Sequence, residues 1–266
     1  MYAVTKIANR VRRTQLGFAG GERVAGKSEA RLSNLSRLWG DQTQRTRGPA
    51  PAYTCEQIAD AAIELADEEG LESVSMRKVA ARLGTGAMSL YRYVESKDSL
   101  IDLMGDRIVG REGWPELTGD WKRDLGDFAR GQRRALLERP WLSRVWSGMP
   151  AIGPNMLRGF ERTMSILDGL GLGIDDMFET IGLLNAWIDG HVQSELALRA
   201  YFGDVDDEEV QRAMGPYVQA VMDSGEYPYF TQVITDAQGP HDDPERRFER
   251  SLERLLAGIE ATLPGR

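Results

Sequence analysis

From Thr54 to the end of the chain, apolar residues recur three and four positions apart, the spacing of helices that each bury one side. Thr54-Cys55-Glu56-Gln57 has the pattern of a capping box, in which a threonine hydroxyl and a glutamine side chain satisfy backbone donors at a helix start. Ile58, Ala62, Leu65 and Ala66 carry the period onward, and Gly70 is a natural stop. Ser75 opens a second helix, with Met76, Val79, Ala80 and Leu83 on one side, and Gly84 ends it. A short third helix covers about 86–93, and Ser96 opens a fourth that carries Leu100, Ile101, Met104 and Ile108. Longer helices are predicted over 120–138, 154–170, 174–201, 206–223 and 244–262, with a shorter piece at Trp141–Trp146. Prolines fall mostly at the edges of these segments. Pro216 is the exception, and a proline inside a helix removes a hydrogen bond, so a kink or split is predicted there. No stretch alternates as a strand does, and the chain reads as all-α.

The first 48 residues break the pattern. They are rich in Gly, Ser, Arg and Gln, without a sustained apolar period, and residues 1–50 read as a disordered basic arm with at most a short helix near Glu29–Leu38. Gly48-Pro49-Ala50-Pro51 marks its end. Charge changes the picture more than composition does. The chain carries −8 overall, which by itself argues against a polyanionic partner. Residues 1–48 nevertheless hold ten Lys or Arg against three acids, a net of +7, which leaves −15 for the remainder. An acidic body still binds duplex DNA when one small face is basic. No apolar run is long enough to span a membrane, charged residues interrupt any secretory core, and the single cysteine, Cys55, suits a reducing cytoplasm.

That basic face is found between Leu71 and Lys97, where Arg77, Lys78, Arg82, Arg92 and Lys97 outnumber Glu72 and Glu95. The preceding helix holds Glu56, Asp60, Glu64, Asp67, Glu68 and Glu69 and no base, so it should turn partly away from phosphate. Ala80, Ala81 and Gly84 are small where two helices would meet, and Thr85, Ala87, Ser89, Tyr91, Arg92 and Tyr93 give a polar and aromatic outer face. This is the chemistry of a helix-turn-helix, whose second helix enters the major groove. Leu90 and Val94 read as core, and Met88 as a residue able to pack inward.

The segment 54–104 resembles the DNA-binding domain of the TetR family. The string Leu90-Tyr91-Arg92-Tyr93-Val94, followed by Ser96-Lys97 and Leu100, matches that family's signature, and Ile58-Ala59 with Gly70 matches its first helix. The resemblance implies a DNA-binding domain over 51–100. It places Arg77 where a guanine edge or phosphate is reached, Thr85, Gly86, Ala87 and Ser89 on bases and phosphates, Tyr91 and Tyr93 on the backbone or a thymine methyl, and Lys97 on a phosphate. Arg92 is a further candidate contact. Tyr93 stands where histidine is commoner.

Residues 101–266 resemble, more by helix pattern than by chemistry, the effector-binding and dimerisation domain of the tetracycline-repressor subgroup. Gly153-Pro154-Asn155, the break at Gly169–Gly173 and Gly190 carry the likeness. It implies a helical bundle around a small-molecule pocket and a homodimer formed through 174–201 and 244–262. The places where that repressor uses Asn, Phe and a metal-binding His hold Phe128, Gln132 and Trp146 here, so a tetracycline–metal complex is not the expected effector. The expected pocket is apolar and aromatic, drawn from Phe128, Gln132, Trp146, Met149, Phe160, Met164, Trp187 and His191. Core packing is the competing reading for each of these.

The implied function is a cytoplasmic, ligand-responsive repressor that binds a palindromic double-stranded operator as a homodimer, with a small, mostly apolar or aromatic effector and no cofactor, metal or membrane. Effector binding would tilt the fourth helix, with the Pro150–Pro154 bend as a moving part. On sequence alone an activator, or a ligand-insensitive regulator on the same fold, stays open. The basic arm either adds nonspecific phosphate contacts or is idle. An enzyme finds no support: His191 and His241 are far apart, and there is no phosphate loop or nucleophile elbow.

Overall fold

A computed structural model describes residues 38–39, 52–146, 153–203, 207–236 and 243–265. Of the basic arm only Leu38 and Trp39, both helical, are described; the rest of the arm, Met149, the bend at Pro150 and His241 lie outside the described residues. Among the described residues every regular element is helical: α1 (Cys55–Glu69), α2 (Met76–Arg82), α3 (Ala87–Leu90), α4 (Lys97–Glu112), α5 (Trp121–Glu138), α6 (Leu142–Trp146), α7 (Pro154–Ile166), α8 (Ile174–Phe202), α9 (Asp207–Asp223), α10 (Pro228–Thr235) and α11 (Pro244–Ala261). Contacts divide the chain into two compact units, one ending at Ile108 and the other starting at Val109, so the division falls inside α4.

In the first unit the capping box forms as the sequence implies. Gln57 N donates to Thr54 Oγ1 at 3.1 Å, and Thr54 N donates to Gln57 Oε1 at 2.9 Å. Ile58, Ala59, Ala62, Ile63, Leu65 and Ala66 of α1 are buried, as are Val79 and Ala80 of α2 and Leu100, Met104 and Ile108 of α4. Arg107 of α4 donates to both carboxylate oxygens of Asp60 on α1, at 2.8 and 3.1 Å, which fixes the two helices against each other.

In the second unit α5, α7, α8 and α11 form the bundle, with α8 packed on α5, α7 and α11. At the α5–α8–α11 junction Phe248 is fully buried against Trp187 and His191. The guanidinium of Arg133 lies 4.8 Å from the Phe248 ring and is itself held by Glu195 at 3.0 Å and Glu245 at 2.5 Å. Burial, aided by the positive charge of Arg133, pushes the His191 imidazole below its ordinary pKa of 6.5.

Three boundaries differ from the pattern-based expectation. The third helix is a single turn, Ala87–Leu90, followed by a turn rather than further helix to residue 93. α7 stops at Ile166, and Gly169 and Gly171 follow at φ +79°, a conformation that favours glycine. α9 runs unbroken through Pro216. The residue before it is Gly215, so the usual clash between a proline ring and the preceding Cβ is absent. α10 is not among the predicted helices, although Pro228 at its first position is a common start signal and Phe230, Val233 and Ile234 fall at helical spacing; it is only eight residues long and buries none of them.

Phe248→Ala is expected to cost about 3–5 kcal/mol of stability in denaturant titration, because the ring is fully enclosed and its cavity is walled by a buried ion pair. Neutral His191 stabilises the fold fully above pH 6.5 and less as the pH falls below that value, since the unfolded chain then takes up a proton more readily. The loss of stability between pH 7.5 and 5.5 should therefore be smaller in His191→Gln than in the parent chain.

Candidate functional site

The α2–turn–α3 segment is built by short-range forces. Ser75 Oγ accepts from Lys78 N at 3.3 Å and caps α2. Gly84 takes φ +70°, which lets Thr85 N return to Ala80 O at 2.9 Å, and Tyr53 donates its hydroxyl to Leu83 O at 3.1 Å across the end of α2. A four-residue helix has no stability of its own. α3 is held because Leu90 and Val94 are completely buried beneath it.

With those anchors fixed, the outer face follows. Arg77, Gly86, Tyr91 and Arg92 are exposed, while Thr85, Ala87, Ser89 and Tyr93 are half-buried. The most exposed apolar side chain here is Met88, at 78%, which points out rather than packing inward. Lys97, half-buried, donates its ammonium to Glu72 O at 3.4 Å, and Ser96 Oγ caps α4 by accepting from Ser99 N at 3.0 Å.

The electrostatics are more selective than a charge count suggests. Arg82 pairs with Glu68 and, at 3.4 Å, with Glu64, and its hydrogen bond holds the Glu68 carboxyl below the usual carboxylate range. Lys78 pairs with Glu69 at 2.5 Å. The acids of α1 thus take up two of the five cations, leaving Arg77 and Arg92 as the exposed positive groups beside the turn and α3.

The second unit holds a half-open cavity of about 880 Å³. One wall is the i, i+4 row Ile181, Asn185 and Asp189 of α8, another the row Phe128, Gln132 and Ala135 of α5, and a third Met156, Phe160 and Thr163 of α7. Trp146 of α6, Trp114 of the 113–120 segment and Val109 in the last turn of α4 also line it, and Trp114 lies nearly parallel to Phe128, 7° apart with centroids at 6.3 Å. Of the residues expected to meet a ligand, Phe128, Gln132, Trp146 and Phe160 line this cavity. Met164 is buried outside its lining, and Trp187 and His191 belong to the cluster around Phe248. Trp114, Asn185 and Asp189 were missed: Trp114 sits in a segment with no period, and the other two interrupt an apolar helix at a four-residue spacing that was there to be read.

The lining is more polar than expected, with Asp127, Arg130, Gln132, Arg134, Asn185 and Asp189 among it. Arg130 is already engaged by Glu249 at 2.7 Å and Asp127 at 2.9 Å. The indole N–H of Trp146 is buried and finds no hydrogen-bond partner among the described residues. Such a donor is costly to leave unmet.

Two family models match the chain. That for bacterial regulatory proteins of the tetR family covers residues 58–104, and that for the tetracyclin repressor-like C-terminal domain covers residues 114–263. The chain is 34% identical over 94% of its length, and 93% of the relative's, to the HTH-type transcriptional repressor DrrR1 of Streptomyces coeruleorubidus. It is 26% identical to the class D tetracycline repressor of Escherichia coli, over 78% of this chain and 89% of that one. Among solved structures, ActR of Streptomyces coelicolor in complex with actinorhodin aligns with TM-score 0.66 and 28% identity, over 79% of this chain and 97% of that one. Among the described residues no helix is long and apolar enough to cross a membrane. The chain belongs to the TetR family of bacterial regulatory proteins and is a ligand-responsive transcriptional regulator.

Proposed function

We propose that this regulator is a repressor: a cytoplasmic homodimer that holds a palindromic operator through two α2–turn–α3 segments and releases it when an aromatic molecule with acceptor oxygens fills the cavity. The observation that carries the reading is the pairing of an outward Arg77–Met88–Tyr91–Arg92 face in one unit with a half-open, aromatic-walled cavity in the other. Arg77 and Arg92 supply guanine or phosphate contacts, Tyr91, Tyr93 and Ser89 fix the backbone, and Thr85, Gly86 and Ala87 allow close approach. Met88 reads an apolar feature of the groove, for which the thymine methyl is the natural match. Lys97 adds a phosphate contact by exchanging its carbonyl partner. The arm before residue 51 adds nothing specific.

The dimer is supported by surface that a lone protomer leaves wet. α8 exposes Ile174, Phe178, Leu183, Leu198 and Tyr201, and α9 and α10 expose Met214, Tyr217, Tyr229, Phe230, Val233 and Ile234. Apolar area of this extent marks an interface. Phe248, Leu252, Leu256 and Ile259 of α11 are turned inward and Leu255 is half-buried, so that helix joins through Leu255 and its small outer residues Ala257, Gly258 and Ala261. In a two-fold dimer the reading segments sit roughly 34–36 Å apart.

The effector reading follows from the lining. Trp114, Phe128, Trp146 and Phe160 suit a planar aromatic body, and the Trp146 N–H suits a carbonyl or phenolate oxygen on it. A tryptophan offers no lone pair to a metal, which speaks against a tetracycline–metal complex. That the structural relative ActR holds a small molecule, actinorhodin, supports a ligand-binding role for the cavity.

A duplex enriched from a random pool by the intact chain should be a palindrome, with affinity falling steeply as salt rises. Arg77→Ala should cost about 1–3 kcal/mol of binding. Met88→Ala should alter base preference and leave the salt slope as it was. Sequence-independent binding, or no effect of either change, would refute the assignment. In fluorescence titration with actinorhodin as probe, Trp146→Phe should weaken binding by about 0.5–1.5 kcal/mol, the worth of one hydrogen bond, with the aromatic wall intact.

A further inference from the structure

α7 carries two neighbouring rows of residues with different duties. Met156, Phe160 and Thr163 face the cavity. Asn155, Gly159 and Arg162, at i, i+4 and i+7, meet the end of α4 and the segment that follows it. A Cβ built on Gly110, in the last turn of α4, would lie 2.6 Å from Asn155 Nδ2 and 2.7 Å from its Cγ. A Cβ on Gly159 would run into the Trp114 ring, 2.7 Å from Cη2 and closer still to Cζ2. Arg162 donates to Pro115 O. Three successive contacts thus seat one strap, residues 110–115, along one row of α7.

The far end of that strap is fixed separately. The buried carboxylate of Asp124 on α5 accepts from Thr118 N at 2.9 Å, Thr118 Oγ1 at 2.8 Å and Gly119 N at 3.2 Å. With its end pinned, the strap responds to displacement at its middle, where Trp114 is both a cavity wall and the ring seated on Gly159. Trp114 is 36% exposed, so its seat is not a closed socket. Gly113, at φ +67°, is the one residue between it and α4, the helix whose other end is Lys97.

We propose that Trp114 is a positioning residue through which occupancy of the cavity is felt by α4, beside the direct contact that Val109 of α4 makes with the cavity, with the notch at Gly159 defining the rest position of the ring. This rests on the repressor reading above. A molecule that enters between Phe128 and α7 lifts Trp114 from the notch, and Gly113 passes the displacement to the last turn of α4. A methyl group at position 159 does the same without any ligand.

The test uses the intact chain and a duplex selected with it, in the absence of any small molecule. Gly159→Ala should weaken duplex binding by between about 5- and 150-fold, the usual range of allosteric coupling, with unchanged circular dichroism and melting temperature. Adding Trp114→Ala should restore parental affinity, because the ring that the methyl displaces is gone. A merely structural role for Trp114 predicts no such rescue. Parental affinity in Gly159→Ala, or a defect that persists in the double variant, overturns the proposal. Should Gly159→Ala fail to fold, Gly110→Ala with and without Asn155→Ala asks the same question at the neighbouring contact: weakening and rescue support the strap, and their absence overturns it. A parental chain that binds no duplex removes the repressor reading and this inference together, whereas normal parental binding with silent variants removes only the inference.

Discussion

The shape of the α2–turn–α3 surface depends on the burial of two side chains. α3 has four residues, too few to hold a helical turn in water, and its shape exists because Leu90 and Val94 are sealed beneath it. Once these are fixed, the outward direction of Met88, Tyr91 and Arg92 is no longer a choice. The left-handed turn at Gly84 sets the angle at which this small platform leaves α2, and the Tyr53 hydroxyl ties down the carbonyl just before it. Specificity in such a design comes from a surface with very little structure of its own, held rigid from below.

Electrostatics sharpen that surface rather than create it. α1 lays a row of acids along α2 and takes up Arg82 and Lys78 in ion pairs. Exposed pairs of this kind add little stability, but they remove competing positive charge from the flank and leave Arg77 and Arg92 beside the turn. The net negative charge of the whole chain is compatible with DNA binding for this reason: affinity follows the local field, and the acidic remainder discourages contact anywhere else.

The second unit separates stability from recognition in the same way. Its charge-rich centre, where Arg133 is clamped by Glu195 and Glu245 over Phe248, is fully committed to holding α5, α8 and α11 together. The cavity lies beside it, and the buried N–H of Trp146, one of its lining residues, has no hydrogen-bond partner among the described residues. His191 was a reasonable ligand candidate from its place on an apolar helix, but its ring is spent on Trp187 and Phe248, and burial keeps it neutral.

The sequence alone determined whatever depends on neighbours within a turn or two. The capping box at Thr54, the caps at Ser75 and Ser96, the stops at Gly70 and Gly84 and the periodic faces of the long helices are local, and each is present as read. So is the signature from Leu90 to Leu100 that carries the family resemblance. Tertiary structure decided the rest. Whether Met88 turned in or out depended on what α3 packs against; which cations α1 engages depended on α1 crossing α2; and the apolar face of α10, Phe230, Val233 and Ile234, stays exposed in its own protomer. The cavity drew on five separate segments, and its contacts at Gly159 and Gly110 are defined by side chains far away in the chain. A glycine is silent in a sequence about what fills the space where its side chain would be, so only the folded chain could say that Trp114 sits there.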